Sequence, residues 1–416
     1  MFKILFIEVI FLMFLGIFIG IFTGLMPGIH VNLVATTLLA LSPFLLNYLQ
    51  PLSLAVFIIS LSITHSFLDT IPSVYLGAPE NENALSVLPG QKMLLKGEAY
   101  MAVKITILGT FLGMIFAVLL IPLFFFIAKN FYPLFKPYVI YFLSLIIFYM
   151  IIREKNFFLA FFIFLISGCL GLIVFSMNLK EPLFPILSGL FGVSGLIISF
   201  NENTKIPEQK IDKKIDISFR EVFSSIFGSS IGVFLIQFFP GLGPAQGAVI
   251  ASQFVKNIKD KTYLALVGAQ GTMSVVFSLV TFYVLGKAKD GSIVVLSKLI
   301  KLDFDIFLIL IFAMLFSGSF SVFLVCYFSK IFSSLIIRIN YQIMVLFVIL
   351  FIVFMSFILN GLIFLFLSYM IYEELGENKK YEINKIDFLT LVSYSVLSLI
   401  ALLLITYFGP RAVLAI

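Results

Sequence analysis

Two ionisable side chains stand one helical turn apart inside an apolar stretch of this chain. His65 and Asp69 lie four residues apart near the end of the third apolar run, so on a helix they share one face. Ionisable groups within membrane spans are costly, and they usually face a polar path or one another. The pair could carry a proton, or the carboxylate could hold Na⁺, so we assign both residues to ion coupling. A salt-bridged histidine at an interfacial helix end is the structural alternative.

Two Pro-Gly motifs interrupt glycine-studded apolar runs, one in each half of the chain. They lie in the segments Met26–His30 and Phe239–Gly243. Proline has no backbone N–H and glycine adopts dihedral angles that other residues avoid, so each motif predicts a broken helix. In an apolar environment a broken helix persists only where it is buried in protein or lines a polar cavity. Two such breaks at matching places in two halves are typical of the binding site of a transporter.

A half-helix that begins after such a break presents free N–H groups and the positive end of its dipole, which favour an anion. We therefore predict a binding site for a small organic anion at the two breaks, completed by a small, polar patch at 268–274. Its predicted residues are Pro27, Gly28, His30, Asn32, Pro240, Gly241, Gly243, Gln246, Gln270 and Thr272. Helix kinks that serve packing are the alternative for the breaks, and packing of small residues is the alternative for the patch.

The composition identifies the environment of these motifs. The chain has 416 residues, of which 61% are hydrophobic and 12% are charged, whereas ordinary soluble domains carry about 25% charged residues. Apolar runs of about 20 residues, long enough to span a bilayer, recur from end to end. The sequence thus predicts an all-α, multi-pass protein of the cell membrane. The net charge of +6 arises at loops and helix ends, where lysines contact membrane lipid, and it indicates no nucleic-acid partner.

The chain divides into two halves of similar length. Residues 201–220 form a charged stretch, which we interpret as a solvated linker between a first transmembrane repeat (1–200) and a second repeat with C-terminal helices (221–416). We count about seven crossings before the linker and about five after it, or about twelve transmembrane helices. Glycines four residues apart precede each break, and a Leu-Gly pair follows each, ending at Gly77 and Gly286. An odd number of crossings between equivalent elements predicts two related, inverted repeats with broken helices.

Catalytic groups are sparse in the sequence. The two histidines, His30 and His65, do not have a zinc-binding spacing. Glu80 and Glu82 form a pair of carboxylates that could suit a hydrolase, but no nucleophile or metal cluster stands beside them. We therefore predict no enzyme activity and no cofactor beyond a coupling H⁺ or Na⁺, and an intramembrane enzyme remains the weakest of three hypotheses.

At Gly24–Asn32 the sequence resembles the large membrane subunit of tripartite tricarboxylate transporters, the TctA family, and most of all its archaeal branch. The resemblance continues through His65–Asp69, Leu76–Pro79 and Ala84–Gly90, and it resumes at Phe239–Ala245. It implies a secondary transporter permease for carboxylates that is driven by an ion gradient. It also implies two partners, a small membrane subunit and an extracytoplasmic binding protein.

Two loops depart from the bacterial pattern of that family. Where bacterial members carry Asn-Thr-Pro-Gly-like and Gly-Ile-Pro-Gly-Ser-like stretches, this chain has Gly77–Asn81 and Leu285–Lys289. The resemblance implies that these loops contact substrate, so we describe the substrate only as a carboxylate or other small organic anion. A translocase for a polyprenyl-phosphate lipid carrier would need the same anion-binding breaks, and it is the second hypothesis.

Overall fold

The structure is a computed structural model. It describes residues 2–27, 31–77, 87–153, 157–176, 206–211, 214–238, 243–256 and 258–338, with short pieces at 342–343, 346–350 and 354. Regular structure in this part of the chain is helical. The α-helices are α1 (Phe2–Leu25), α2 (Val31–Leu45), α3 (Pro51–Leu68), α4 (Thr70–Leu76), α5 (Val87–Leu94), α6 (Ala99–Leu119), α7 (Ile121–Asn130), α8 (Tyr132–Phe135), α9 (Val139–Arg153), α10 (Phe157–Ser176), α11 (Phe219–Phe238), α12 (Pro244–Ser252), α13 (Asp260–Leu285), α14 (Gly291–Leu299) and α15 (Phe304–Ile336).

Several of these helices are long and apolar enough to cross a membrane. Among the described residues there are six such segments: Phe6–Leu25, Pro51–Leu76, Ala99–Leu119, Phe219–Phe238, Asp260–Leu285 and Phe304–Ile336. The prediction of an all-α, multi-pass membrane protein is therefore confirmed. The total of about twelve crossings includes segments after residue 354, which lie outside the described residues, so that number stays a prediction.

The same order of elements occurs twice along the chain. Each half begins with a long helix that ends at a break, and a helix then returns in the opposite direction. A long central helix follows and ends at a left-handed glycine. A short helix and a last long helix complete the order. The two glycines mark the equivalent point, because Gly77 ends α4 with a φ of 66° and Gly286 ends α13 with a φ of 65°. Residues with a side chain rarely adopt this conformation, which favours glycine at both helix ends. Thus α1 to α6 and α11 to α15 form two related sets.

The first two long helices of each set run parallel to one another. At the start of α3, the Gln50 N–H donates to the Glu8 carboxylate of α1 at 2.8 Å. Toward the other end, Gly24 of α1 packs against the backbone of His65. The second set repeats this arrangement. Helices α11 and α13 pack together, and the Ser225 hydroxyl donates to the Thr262 carbonyl. One turn later on both helices, the Ser229 hydroxyl donates to the Leu266 carbonyl.

Each central helix also packs beside the last helix of the other set. Thr64 of α3 accepts a hydrogen bond from Ser321 of α15 at 3.2 Å, and the hydroxyl of Tyr75 in α4 lies 3.0 Å from the hydroxyl of Ser329. The order of these contacts shows that α15 runs parallel to α3. In the same way α6 runs parallel to α13, with glycines of α6 packed against Ala265 and then Ala269, four residues later. The two sets are therefore interlocked.

The two sets run in opposite directions. On α6 and α15, which form the seam between the sets, Met114 packs against Gly318, whereas the earlier residue Tyr100 lies near the later residue Cys326. This order shows that α6 and α15 are antiparallel. Because α6 is parallel to α13 and α15 is parallel to α3, the central helices α3 and α13 are antiparallel as well. The described helices thus have the arrangement expected of inverted repeats.

Burial is greatest in the two central helices. In the most apolar 18 residues of each span, 89% of the residues are buried for Pro51–Leu76 and 100% for Asp260–Leu285. Polar side chains on these helices are therefore surrounded by protein, where an unpaired polar group costs free energy. Any polar group retained here is a candidate for function.

The predicted linker is more ordered than its charge suggests. Gln209 is buried, and its side chain accepts from the Ala99 N–H and donates to the Leu94 carbonyl, both at 3.0 Å. The Lys210 N–H donates to the Gly97 carbonyl at 2.8 Å. These bonds attach the stretch 206–211 to the turn between α5 and α6, with Gln209 as its buried contact, and the role of 201–220 as a linker stays a prediction.

Candidate functional site

The second break forms the half-helix that the sequence predicts. Helix α11 ends at Phe238, and α12 begins with Pro244 after the extended N-cap residue Gly243. The Gly243 N–H donates to the side-chain oxygen of Gln246 at 3.0 Å, which closes one half of a capping box. The first N–H groups of a helix have no acceptor within the helix, so those that follow Pro244 point out of the start of α12. Pro240 and Gly241 lie outside the described residues.

A fully buried glutamine reaches the first turn of this half-helix. Gln270 of α13 has no exposed surface, and neither its amide oxygen nor its amide nitrogen has a hydrogen-bond partner. Two glycines make room for it. A Cβ added at Gly247 of α12 would lie 2.0 Å from Nε2, and one added at Gly232 of α11 would lie 3.2 Å from Oε1. The structure thus brings Gln270 to the same turn as Gly243 and Gln246.

Another predicted residue faces a different helix. The Thr272 hydroxyl donates to the carbonyl of Thr110 in α6 at 2.8 Å. Residues two apart on a helix do not share a face, so Thr272 points away from the half-helix that Gln270 contacts. The structure does not bring Thr272 to the break.

The buried polar row on α13 continues toward the end of the helix. Ser274 follows Gln270 by one turn, and its carbonyl accepts from the side-chain nitrogen of Gln237 at 3.0 Å. The side-chain oxygen of Gln237 is buried without a partner. One turn later, the Ser278 hydroxyl accepts from two backbone N–H groups of the loop that follows Gly286, at 3.1 and 2.9 Å. Sequence analysis missed Gln237, whose position within an apolar run gave no signal.

The proline of each break removes one helical hydrogen bond. In an α-helix the carbonyl of residue i accepts from the N–H of residue i+4, and proline has no N–H. Pro240 therefore leaves the Ile236 carbonyl without its helical donor, and Pro27 does the same to the carbonyl of Thr23. At the second break the Ile236 carbonyl accepts a hydrogen bond from the Lys289 ammonium.

Aromatic packing fixes the end of α11. The buried ring of Phe124 in α7 stacks on Phe277 at 4.5 Å and on Phe238 at 5.3 Å, and Phe234 meets it edge-on at 5.0 Å. Tyr132 also stacks on Phe238, at 5.0 Å. Each aromatic pair contributes about 0.5–1.5 kcal/mol beyond its buried area. The position of the break is therefore set by rigid neighbours.

At the first break the two ionisable residues are buried within the span. His65 and Asp69 are 3% and 2% exposed, and the Asp69 N–H donates to the His65 carbonyl at 2.9 Å, which confirms their predicted spacing of one turn. Nδ1 of His65 lies 3.1 Å from the hydroxyl of Thr23, the residue left with an open carbonyl by Pro27. Gly28, His30 and the side chain of Asn32 lie outside the described residues.

The two breaks share one further relationship. His65 and Ser274 each lie 12 residues before the left-handed glycine of their own repeat. Each also meets a polar side chain on the long helix that leads to its break, Thr23 for His65 and Gln237 for Ser274. The repeats therefore place a polar contact between central helix and broken helix at the same level, and only the first repeat makes it with an ionisable group.

Comparison with known proteins also indicates a membrane transporter. The model of a family described as the tripartite tricarboxylate transporter TctA family matches residues 10–376. The chain belongs to the TctA family. It is 33% identical over 307 residues to an uncharacterized protein of Methanocaldococcus jannaschii, a match that covers 71% of this chain and 75% of that protein. This relative agrees with the predicted archaeal branch. No solved structure matches the chain.

The TctA family is a family of membrane transporters, not of enzymes. In tripartite transporters of this family the TctA subunit works with a small membrane subunit and a binding protein. Within the described part of this TctA chain, no group of three or more His, Cys, Asp or Glu side chains could hold a metal ion.

One residue at the site of this TctA protein escaped sequence analysis. Lys289 is half-buried, and burial lowers its pKa from 10.5 to about 8. Its neighbour Lys287 lies over the ring of Tyr132, with its ammonium 5.9 Å from the ring centre. The available signal was the position of Lys289 in the loop after Gly286.

Proposed function

We propose that this TctA protein is a secondary transporter permease that moves a carboxylate or other small organic anion across the cell membrane, coupled to H⁺ or Na⁺. The observation that carries the proposal is the meeting of Gln270 with the start of α12. A helix N-terminus carries the equivalent of about half a positive charge and offers unpaired N–H donors. Gln270 adds a buried amide without a partner at the same turn. Together they supply donors and positive potential at one turn.

We propose that the anion lies against the two breaks at once. At the second break it would accept from the N–H groups at the start of α12 and from the Gln270 amide, beside Pro240, Gly241, Gly243 and Gln246. At the first break Pro27, Gly28, His30 and Asn32 would take the equivalent role, since the inverted repeats relate the two breaks. We leave Thr272 out of the proposed site because its hydroxyl already bonds to α6.

The coupling ion would act at His65 and Asp69. Both side chains lie in the buried central helix of the first repeat, where a net charge is costly and charge changes have large effects on conformation. Binding of H⁺ or Na⁺ to this pair would alter the contact between His65 and Thr23, which joins the central helix to the first break. This contact offers a direct mechanical link between ion binding and the substrate site.

We also propose that the protein works with a small membrane subunit and an extracytoplasmic binding protein, as the family name implies. A binding protein would deliver the substrate to the permease and raise its local concentration. The proposed site consists of residues of this chain alone, so it does not depend on these partners.

Uptake into proteoliposomes tests the proposed function. The purified protein is reconstituted, and labelled mono-, di- and tricarboxylates are supplied under an imposed Na⁺ gradient or an imposed pH gradient. We expect accumulation of one class of carboxylate under one of the two gradients. Accumulation of none, together with movement of a labelled polyprenyl phosphate between leaflets, would contradict the proposal in favour of a lipid-carrier translocase.

A further inference from the structure

We propose that the end of the protein where α6, α11 and α13 begin faces the cytoplasm and contacts the anionic lipid headgroups of that leaflet. We call it the basic end, and its loops are 92–99, 206–221 and 256–261. The inference goes beyond the proposed function, which does not say which side of the membrane each break faces. Its basis is the set of contacts that divides the loops of the two interlocked repeats between two surfaces.

Contacts between loops gather the starts of three helices at the basic end. The ammonium of Lys92 in α5 lies 2.8 Å from the carboxylate of Asp260, the first residue of α13. Lys261 forms an ion pair with Asp216, which precedes α11. The stretch 206–211 is bonded to the turn between α5 and α6, as described above. The loops before α6, α11 and α13 therefore lie side by side.

The last turns of α15 reach the same end. Because α15 is antiparallel to α6, it finishes where α6 begins. Cys326 of α15 lies near both Lys104 of α6 and Lys330. Lys330 and Arg338, which follows the end of α15, thus belong to the basic end.

Other contacts mark the opposite end of the protein. There the Gln50 N–H donates to the Glu8 carboxylate, close to the starts of α3 and α1. Helix α14 packs on α2 and α3, and its Val295 belongs to the same apolar cluster as Leu54 in the first turn of α3. The loops on either side of α14 therefore lie at the opposite end, together with the start of α15.

Lysine and arginine are distributed unevenly between the two ends. Among the described residues of α1 to α7, α11 to α15 and the loops beside them, the basic end carries Lys92, Lys96, Lys104, Lys210, Lys214, Arg220, Lys256, Lys259, Lys261, Lys330 and Arg338. The opposite end carries Lys3, Lys129, Lys287, Lys289, Lys298 and Lys301. Short loops rich in Lys and Arg stay in the cytoplasm, and Asp and Glu contribute little to this preference. The basic end is therefore the cytoplasmic one.

Exposed lysines of the basic end suit a membrane surface. Lys96, Lys214, Lys256 and Lys259 are exposed, and each lies within a few residues of the start of α6, α11 or α13. Anionic phospholipids give the cytoplasmic leaflet a negative surface potential, which attracts basic segments next to membrane spans. An anionic lipid surface is therefore the partner that these charges fit.

The orientation also places the two breaks relative to the two sides of the membrane. Helix α1 runs from the opposite end to the first break, whereas α11 runs from the basic end to the second break. The first break, with His65 and Asp69, thus lies nearer the cytoplasm, and the second break, with Gln270, lies nearer the outside. Together with the proposed function, on which this step alone rests, an anion taken up from outside reaches the second break first.

Cysteine labelling in intact cells tests the orientation. The native Cys169 and Cys326 are replaced by serine, and either Lys214→Cys or Lys301→Cys is added at an exposed position of each end. A membrane-impermeant maleimide should label Lys301→Cys in intact cells, and Lys214→Cys only after the membrane is permeabilised. The reverse pattern, or equal labelling of both in intact cells, would overturn the orientation. The assay uses no substrate, so its result is separate from that of the uptake assay, which tests the proposed function.

Lipid-dependent stability tests the contact with the headgroups. The unfolding temperature of the purified protein is measured in detergent with added phosphatidylglycerol, which is anionic, or phosphatidylcholine, which has no net charge. Phosphatidylglycerol should raise it more, and added salt should reduce the difference by screening. Lys256→Gln/Lys259→Gln should lose part of this shift, whereas Lys298→Gln/Lys301→Gln, the matched pair at the opposite end, should keep it. Equal shifts in the two double variants would overturn the lipid contact.

Discussion

Nδ1 of His65 lies 3.1 Å from the hydroxyl of Thr23, four residues before the proline that breaks α1. A titratable group of the central helix thereby contacts the last turn of the broken helix. The contact depends on a close approach of two helix backbones, which the glycines of α1 permit. In the second repeat the equivalent contact is made by two neutral residues, Gln237 and Ser274. The ion-dependent step is therefore expected in the first repeat.

The close packing of α1 on α3 can be tested at Gly20. A Cβ added there would lie 2.7 Å from the Cβ of Thr64 and 2.9 Å from the Leu61 carbonyl, and overpacking of this kind costs about 1–3 kcal/mol. Gly20→Val should lower the thermal unfolding midpoint in detergent and abolish transport, because it separates Thr23 from His65. Gly168→Val is the control, since nothing lies within 4 Å of a Cβ at Gly168. Equal loss in both variants would show that the packing at Gly20 has no special role.

The ion-coupling pair can be tested by separating driven uptake from exchange. Asp69→Asn should abolish gradient-driven accumulation, because the amide carries no negative charge and does not titrate. It should retain exchange of labelled for unlabelled substrate, which needs the binding site but no gradient. The measurement is uptake into proteoliposomes with and without an imposed gradient.

His65→Gln then distinguishes the two coupling ions. If Na⁺ is coupled through the Asp69 carboxylate, His65→Gln should keep Na⁺-driven uptake. If a proton is carried by the pair, His65→Gln should lose pH-driven uptake as Asp69→Asn does. Full gradient-driven accumulation by both variants would remove His65 and Asp69 from the coupling mechanism.

The lowered pKa of Lys289 predicts how stability depends on pH. Between about pH 8 and about pH 10.5 the unfolded chain keeps the Lys289 proton while the native protein has released it. Because the unfolded state then binds more protons, stability rises with pH through this window. Lys289→Met should show a smaller rise in unfolding temperature between these limits than Lys287→Met does. Identical pH profiles would show that the Lys289 ammonium is not destabilised by burial.

Sequence reasoning succeeded where local chemistry decides the structure. Gly243 is the N-cap of α12 and Pro244 is its first residue, a position where the missing N–H of proline costs no helical hydrogen bond. The spacing of His65 and Asp69 also follows from helix geometry alone. The overall class follows from composition, since apolar runs of this length have few other solutions than membrane helices.

Contacts between distant residues explain what sequence reasoning missed. Lys289 and Ile236 are 53 residues apart, and only the packing of α11 on α13 brings them together. The contact of Gln209 with the α5–α6 turn likewise depends on tertiary structure, and charge alone gave no sign of it. The sequence placed Gln270 and Thr272 in one patch, whereas two residues that are two positions apart on a helix do not share a face, and the Thr272 hydroxyl bonds to α6.

The contrast between Gln270 and Thr272 tests the central claim most directly. Both are buried polar residues of α13, but only Gln270 reaches the half-helix at the second break. The measurement is the Kd of the purified protein for its preferred carboxylate, determined by thermal stabilisation for Gln270→Leu and Thr272→Val. The account predicts that Gln270→Leu loses at least about tenfold in affinity, or about 1.4 kcal/mol, while Thr272→Val binds like the wild type. Unchanged affinity in Gln270→Leu, with equal or greater loss in Thr272→Val, would contradict an anion site at the second break.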